Sequence, residues 1–337
     1  MGILKFGDRL VGTGSPCYII AEIGINHNGS LEYAKQLIDI AANAGCQAVK
    51  FQKRDVETVY TDVELRTPRS VDPSFIRHAV ERSCIGGVRR RALPDEALAR
   101  LMVDPTQTTN GDLKFALEFG LKEFDALDLH CASRGIRWFA SAWDGLSAHF
   151  VNGFDVPCHK IASACLTHDD LLRRVRSNRK PVILSTGGST MEQVRHAIDV
   201  LGTSDLVLLH CVATYPCKDE DINLGMIETL RTEFPKVPIG YSGHEQGILP
   251  SLVAVSMGAC VVERHITLDR NMPGSDQRAS VDPTELVELV RSIRALESGA
   301  SCINDLVTED QRRLYVGDGV KRVLSAEAEV MKKLRRV

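Results

Sequence analysis

The sequence predicts an α/β protein, a (β/α)8 TIM barrel with an N-terminal β-hairpin and a short C-terminal tail, and three observations carry this. Its 337 residues exceed what one core usually serves, a limit to which α/β barrels are the main exception. Eight short apolar runs alternate with segments whose apolar positions recur every 3.6 residues, the pattern of a parallel sheet joined by helices. Each run also closes on polar or ionisable residues, and in a closed barrel all eight carboxyl ends face one rim, where active sites of this architecture lie.

The runs span residues 17–24, 48–52, 138–144, 158–163, 181–187, 206–212, 238–243 and 260–267. Helix-like segments occupy 31–45, 113–135, 168–177, 191–201, 224–234, 247–258 and, after the last run, 283–298. Thr190 with Gln193 three residues on reads as a capping box, and Asp282-Pro283 with Glu285 reads the same way with proline in the first helical position. Residues 1–16 carry the turn-rich Gly12-Thr13-Gly14-Ser15-Pro16 and are expected to form a hairpin closing the bottom of the barrel. The barrel itself takes residues 17–300, with a long loop insertion at 55–111 that contains Arg89-Arg90-Arg91. Loops of that length are usually functional, and this one is expected to close over the site. Residues 301–337 form the charged tail.

Composition narrows the function. With 44% hydrophobic and 25% charged residues, the chain is neither disordered nor fibrous. Its 41 basic and 44 acidic residues leave a net charge of −3, which draws it to neither nucleic acid nor an anionic membrane and points to small-molecule partners. No apolar run is long enough to cross a bilayer, and the first residues lack a secretory signal, so a cytoplasmic location is expected. Ten cysteines without metal-binding spacing read as buried, reduced thiols.

The phosphate-binding, dinucleotide, nucleophile-elbow and HExxH signatures are all absent. What remains lies at the strand ends: Glu22; Lys50, Gln52 and Lys53; Ser141 and Asp144; Lys160 and Ser163; Ser185 and Thr186; His210; Ser242 and His244; Glu263 and His265. Lysine, histidine and glutamate inside apolar runs are costly unless paired or used. Two ammonium groups, Lys50 and Lys160, with the hydroxyls of Ser163, Ser185, Thr186 and Ser242, make a cradle for a phosphorylated anion. His244 and His265, 21 residues apart at the ends of the last two strands, can converge on one point. Two neutral imidazoles with room for carboxylate, water and substrate oxygens suit Mn²⁺, Fe²⁺, Zn²⁺ or Co²⁺. Glu22 and Asp276 are carboxylates placed to approach the same point.

Seven segments then resemble, in order, the sialic acid synthase (N-acetylneuraminate synthase) family. They are 21–29 with Glu22, Val49-Lys50-Phe51-Gln52, Lys160-Ile161-Ala162-Ser163, Leu184-Ser185-Thr186-Gly187, Leu209-His210-Cys211 with Tyr215-Pro216, Gly240-Tyr241-Ser242-Gly243-His244, and Glu263-Arg264-His265 followed by Pro273-Gly274-Ser275-Asp276. The resemblance covers about residues 17–300 and is to a branch without the C-terminal antifreeze-like domain, similar to the spore coat polysaccharide synthesis type. It implies an enzyme that joins phosphoenolpyruvate to an open-chain, N-acetylmannosamine-like aldose, giving a sialic-acid-like 2-keto-3-deoxy nonulosonic acid and phosphate. It further implies a divalent metal, Mn²⁺ first and Mg²⁺ or Co²⁺ as alternatives, and a homodimer or higher homo-oligomer. Carried across by residue, Lys50, Lys160, Ser163, Ser185 and Ser242 hold phosphoenolpyruvate, His244 and His265 bind the metal, and Glu22, Tyr215 and Asp276 face the sugar. Glu22, Lys50 and Lys160 are the catalytic set. Ala213 stands where the family often has asparagine, so the acceptor sugar is left open.

Three other readings stay in view. One is a 3-deoxy-octulosonate 8-phosphate-type synthase with Arg89–Arg91 on the sugar phosphate. Another is a Schiff-base aldolase with Lys160 as nucleophile, and the last a non-catalytic barrel serving as a binding subunit.

Overall fold

A computed structural model of the chain describes residues 2–70, 103–104 and 108–334. It begins with an antiparallel hairpin of β1 (Ile3–Phe6) and β2 (Arg9–Gly12). Eight strands follow: β3 (Tyr18–Gly24), β4 (Ala48–Lys53), β5 (Arg137–Ala142), β6 (His159–Ile161), β7 (Val182–Ser185), β8 (Leu206–Cys211), β9 (Ile239–Gly243) and β10 (Val261–His265). They pair in parallel in chain order and close into a barrel as β10 returns to β3. Each coincides with one of the apolar runs. β3, β7, β8, β9 and β10 are buried along their whole length, as strands covered on both faces must be, which is why they read as continuous apolar runs rather than alternating ones.

A helix follows every strand, at Leu31–Ala44, Leu121–Ser133, Gly145–Asn152, Asp169–Ser177, Met191–Leu201, Gly225–Glu233, Leu249–Ser256 and Pro283–Glu297. Both capping boxes form: Thr190 accepts from the Gln193 N–H, and Asp282 from that of Glu285. The first helix runs from a Ser30 N-cap to Gly45, whose φ of 89° needs a residue without a side chain.

The expected helix over 113–135 is instead two, Asn110–Leu117 and Leu121–Ser133. The chain breaks because Glu118 turns inward to accept from Arg54 Nε at 2.6 Å, and because Gly120 opens the second helix with its N–H on Glu123 at 2.9 Å. Helix Gly145–Asn152 has no counterpart in the sequence reading; Asp144 caps it, accepting from the Ser147 N–H at 2.7 Å. Asp144 is therefore a capping residue. Of the insertion at 55–111, the described part folds into short helices at Val56–Val59 and Asp62–Arg66 before Asn110–Leu117. Arg89–Arg91 lie outside the described residues, as does most of the segment expected to close over the site.

The hairpin plugs the amino-terminal end of the barrel. Leu4, Phe6 and Val11 are buried while Ile3 and Leu10 are exposed, and the Phe6 ring meets Tyr18, the first residue of β3, edge-on at 5.3 Å. The Gly2 N–H donates to the Lys236 carbonyl just before β9. The chain after the last barrel helix forms helices at Ile303–Leu306, Glu309–Val316 and Ser325–Met331. It crosses the outside of helix Gly225–Glu233, where Gly319 accepts from Thr229 Oγ1 at 2.7 Å, and then reaches the opposite end of the barrel.

Candidate active site

Side chains two apart on a strand share a face, and at the carboxyl ends this gathers Lys50 with Gln52, Ser242 with His244, and Glu263 with His265. Register does the rest: His265 lies opposite Glu22, Glu22 opposite Lys50, Ser141 opposite Lys160, and Glu263 opposite Ser242. Residues from strands far apart in sequence thus stand at one level of the mouth.

The result is a buried cluster of two cations and two anions. Lys50 Nζ lies 2.9 Å from Glu22 and 3.4 Å from Glu263, and Lys160 Nζ lies 3.6 Å from Glu263. Hydroxyls fill the ammonium shells, Ser141 at 2.9 Å from Lys50 and Ser185 at 2.8 Å from Lys160. Ser242 donates to Glu263 at 3.3 Å, and Gln52 to Glu22 at 3.2 Å. All four charged groups are at most 4% exposed. Burial opposes charge on Lys50, yet Glu22 and Glu263 outweigh it and hold the ammonium above its ordinary range. Burial pulls Lys160 below its ordinary value despite Glu263. Glu22 is pushed up by burial, against the pull of Lys50, to about 7. Glu263 goes the other way, because Lys160 and Lys50 together overcome the cost of its burial.

Beside this cluster His244 and His265 stand with ring centroids 5.4 Å apart, and the Tyr215 ring lies 4.2 Å from His244 and 5.8 Å from His265. His244 Nδ1 is 2.8 Å from the Val212 carbonyl, which fixes the ring and leaves Nε2 as the free nitrogen. His265 Nδ1 is buried without a hydrogen-bond partner. Burial and the neighbouring His244 keep His265 well below the usual imidazole range, so it is neutral. Cys211 Sγ sits 3.8 Å from His244 Nδ1 and 3.3 Å from Ser163 Oγ, which in turn accepts from the Gly187 N–H at 3.1 Å.

Of the residues singled out from sequence, Glu22, Lys50, Lys160, Ser185 and Ser242 meet in the ion cluster, and Ser163, Tyr215, His244 and His265 line the mouth next to it. Asp276 is half-buried in the segment after β10, where Ser275 Oγ donates to it at 2.6 Å, within electrostatic reach of Tyr215. Other strand-end groups point elsewhere: His210 bonds the Ile222 carbonyl at 2.7 Å, and Lys53 turns to Glu118 and the Phe119 carbonyl. Three participants were left without a role in the site, although Glu263 and Ser141 stood among the strand-end groups. Glu263 bridges both lysines, and its place two residues before His265 was the signal. Ser141 likewise faces Lys50 across one strand boundary. Cys211 carried no signal, since a buried cysteine reads as a small apolar residue.

Among the described residues every cysteine is unpaired, and all but Cys302 are buried. No described helix is long and apolar enough to cross a membrane.

Known proteins resemble this chain in sequence and in barrel fold. An N-acetylneuraminate-9-phosphate synthase of Drosophila melanogaster is 38% identical over 82% of this chain and 67% of its own length. The N,N'-diacetyllegionaminic acid synthase of Legionella pneumophila is 36% identical over 85% of this chain and 74% of its own. The crystal structure of a spore coat polysaccharide biosynthesis protein from Bacillus subtilis superposes with a TM-score of 0.72 at 28% identity, over 98% of this chain and 80% of that one. The NeuB family profile matches residues 98–303, and the chain belongs to the NeuB family.

Proposed function

We propose that this protein condenses phosphoenolpyruvate with an open-chain, N-acetylmannosamine-like aldose to give a sialic-acid-like nonulosonic acid and phosphate. The observation that carries this reading is the pair of buried ammonium groups, Lys50 and Lys160, set among the Ser141, Ser185 and Ser242 hydroxyls at the mouth of a barrel whose relatives are named as synthases of such acids. Lys50, Lys160, Ser163, Ser185 and Ser242 hold the phosphate and carboxylate of phosphoenolpyruvate. Glu22, Tyr215 and Asp276 face the sugar.

The methylene carbon of phosphoenolpyruvate attacks the aldehyde carbon, forming the new carbon–carbon bond and leaving cationic character at C2. Water adds there, and phosphate departs with cleavage of its C2–O bond as the keto acid forms. The lysines balance phosphate and carboxylate charge throughout, which is worth more in a buried site than in water. Glu22, poised near neutrality, takes the proton of the incoming water, as a base with a value near the working pH does well. One proton lost by water and one gained by the former aldehyde oxygen keep the step balanced.

His244 and His265 would hold a divalent ion, Mn²⁺ first and Mg²⁺ or Co²⁺ as alternatives. The donor set fits, with a buried His265 nitrogen that lacks a partner and a His244 ring fixed through its other nitrogen. Among the described residues no third histidine, cysteine, aspartate or glutamate completes a cluster, and water and substrate oxygens would supply any further ligands. Bound there, the ion supplies Lewis acidity toward the acceptor's carbonyl oxygen. A cytoplasmic homodimer belongs to the same proposal.

The test incubates purified protein with Mn²⁺, phosphoenolpyruvate and a panel of aldoses that includes N-acetylmannosamine and its 6-phosphate, scoring phosphate release and keto-acid formation. Coupled release with one of them supports the proposal. No release with any aldose removes it.

A further inference from the structure

Glu327, in the last described helix, is buried at 2% exposure, although it stands in a charged segment where glutamate ordinarily faces water. Its Oε1 accepts from two backbone N–H groups, those of Gly188 and Ala213, each at 2.7 Å. Its Oε2 accepts from the Leu324 N–H at 2.9 Å, which ties the carboxylate to the start of its own helix. Lys321 lies within electrostatic reach of both Glu327 and Cys211, so the carboxylate does not stand there without a counter-charge.

The two N–H groups belong to different loops of the mouth. Gly188 ends the turn after β7, directly after Gly187, whose N–H holds Ser163, and three residues after Ser185 on Lys160. Ala213 lies in the loop after β8, two residues after Cys211 and two before Tyr215, the pair that flanks His244. These loops touch at their tips, since a side chain on Gly187 would lie 3.0 Å from Cys211 Sγ and 3.1 Å from the Ala213 methyl. The same helix places Met331 against Gly188. The chain then runs on to the segment after β4, where the Lys333 carbonyl accepts from the Thr61 N–H at 3.1 Å and Leu334 bridges Tyr60.

We infer that residues 321–334 form a strap across the mouth and that Glu327 is a positioning residue, its carboxylate clamping the loops after β7 and β8 so that Ser185, and Ser163 held between Gly187 and Cys211, keep the spacing of the anion cradle. This rests on the proposed binding of phosphoenolpyruvate at that cradle. Two buried N–H groups without an acceptor are costly, so without the clamp the loops turn them toward water and the cradle opens.

The experiment compares Glu327→Ala and Glu327→Gln in the full chain, reading phosphoenolpyruvate affinity by calorimetry, the split between KM and kcat, and hydrogen exchange at the loops containing Gly188 and Ala213. The alanine variant is expected to unfold cooperatively, to exchange these loops faster, and to lose about 10²-fold in kcat/KM, mostly in KM, the scale set by a misplacement of about 1 Å in groups that orient a substrate. Glutamine keeps a carbonyl acceptor and is expected to recover most of the loss. Should the alanine variant fail to fold, Glu327→Asp, which draws the carboxylate back by one methylene, replaces it in the same assays. Wild-type affinity and unchanged exchange in the shortened variant overturn the strap, as does a glutamine variant as impaired as the alanine one. Wild-type protein that binds no phosphoenolpyruvate overturns the functional reading itself, whereas unchanged exchange overturns only the strap.

Discussion

At the amino-terminal end of the barrel β4, β7, β8, β9 and β10 start on Ala48, Val182, Leu206, Ile239 and Val261 above a hairpin whose Leu4, Phe6 and Val11 are buried, while the carboxyl end gathers Glu22, Lys50, Lys160, Glu263, His244 and His265. β10 makes the change within five residues, from Val261-Val262 to Glu263 and His265. Both ends are equally buried, so burial alone does not separate them. Their energetics do. Apolar burial at the floor stabilises the fold in proportion to the area removed from water, whereas buried ion pairs roughly break even or cost stability relative to apolar packing. A barrel stabilised from below can carry an expensive cluster above, and under the proposed function that cluster serves binding rather than holding the fold together.

The sharpest way to break this contrast is at the histidines. His244→Ala or His265→Ala is expected to bring Mn²⁺-dependent phosphate release to background with the melting transition essentially retained. Turnover that survives both substitutions and a chelator would remove the metal proposal. At the floor the expectation reverses. Phe6→Ala empties a fully buried site and should cost about 3–5 kcal/mol of unfolding free energy in urea titrations, with phosphoenolpyruvate affinity of the folded protein unchanged. A floor substitution that alters affinity first would show that the two ends are coupled.

Lys50→Met and Lys160→Met come next in size. Each removes a charged donor from the cradle and should weaken phosphoenolpyruvate binding by at least about 1.5 kcal/mol, the lower bound for hydrogen bonds to charged groups. Calorimetry giving unchanged affinity for both would leave the cluster a structural network.

How much of this was legible in the sequence follows the same division. The barrel could be read because its strands are buried on both faces, and continuous apolar runs with capped helices between them leave a plain trace. Lys50, Lys160, His244 and His265 stood out because charge inside such a run is rare. Glu118 was not singled out and Asp144 was read as a strand-end rim group, since a carboxylate that breaks or caps a helix looks in sequence like one that serves a rim or faces solvent. Glu327 was hidden for a stronger reason. Its partners are the backbone N–H groups of Gly188 and Ala213, more than a hundred residues away, and a backbone donor leaves no mark on the residue type.

The smallest expected effect sets activity against stability at one residue. Burial lifts the Glu22 carboxyl from 4.5 to about 7. As the base that takes a proton from water, Glu22 must be ionised, so kcat/KM should rise with pH along a limb centred near 7, changing about twofold between its midpoint and the plateau. Stability should move the other way. A carboxyl whose folded value lies above its unfolded one binds its proton more tightly in the fold, so its contribution is complete below about 4.5 and is lost as pH rises through about 7. Glu22→Gln should flatten both curves together, removing the limb from the rate profile and the matching slope from the pH dependence of urea midpoints. A limb that persists in the glutamine variant assigns the proton to another group. A limb that vanishes while the stability slope stays would place the shifted carboxyl elsewhere in the Lys50 cluster, with Glu263 the first to examine.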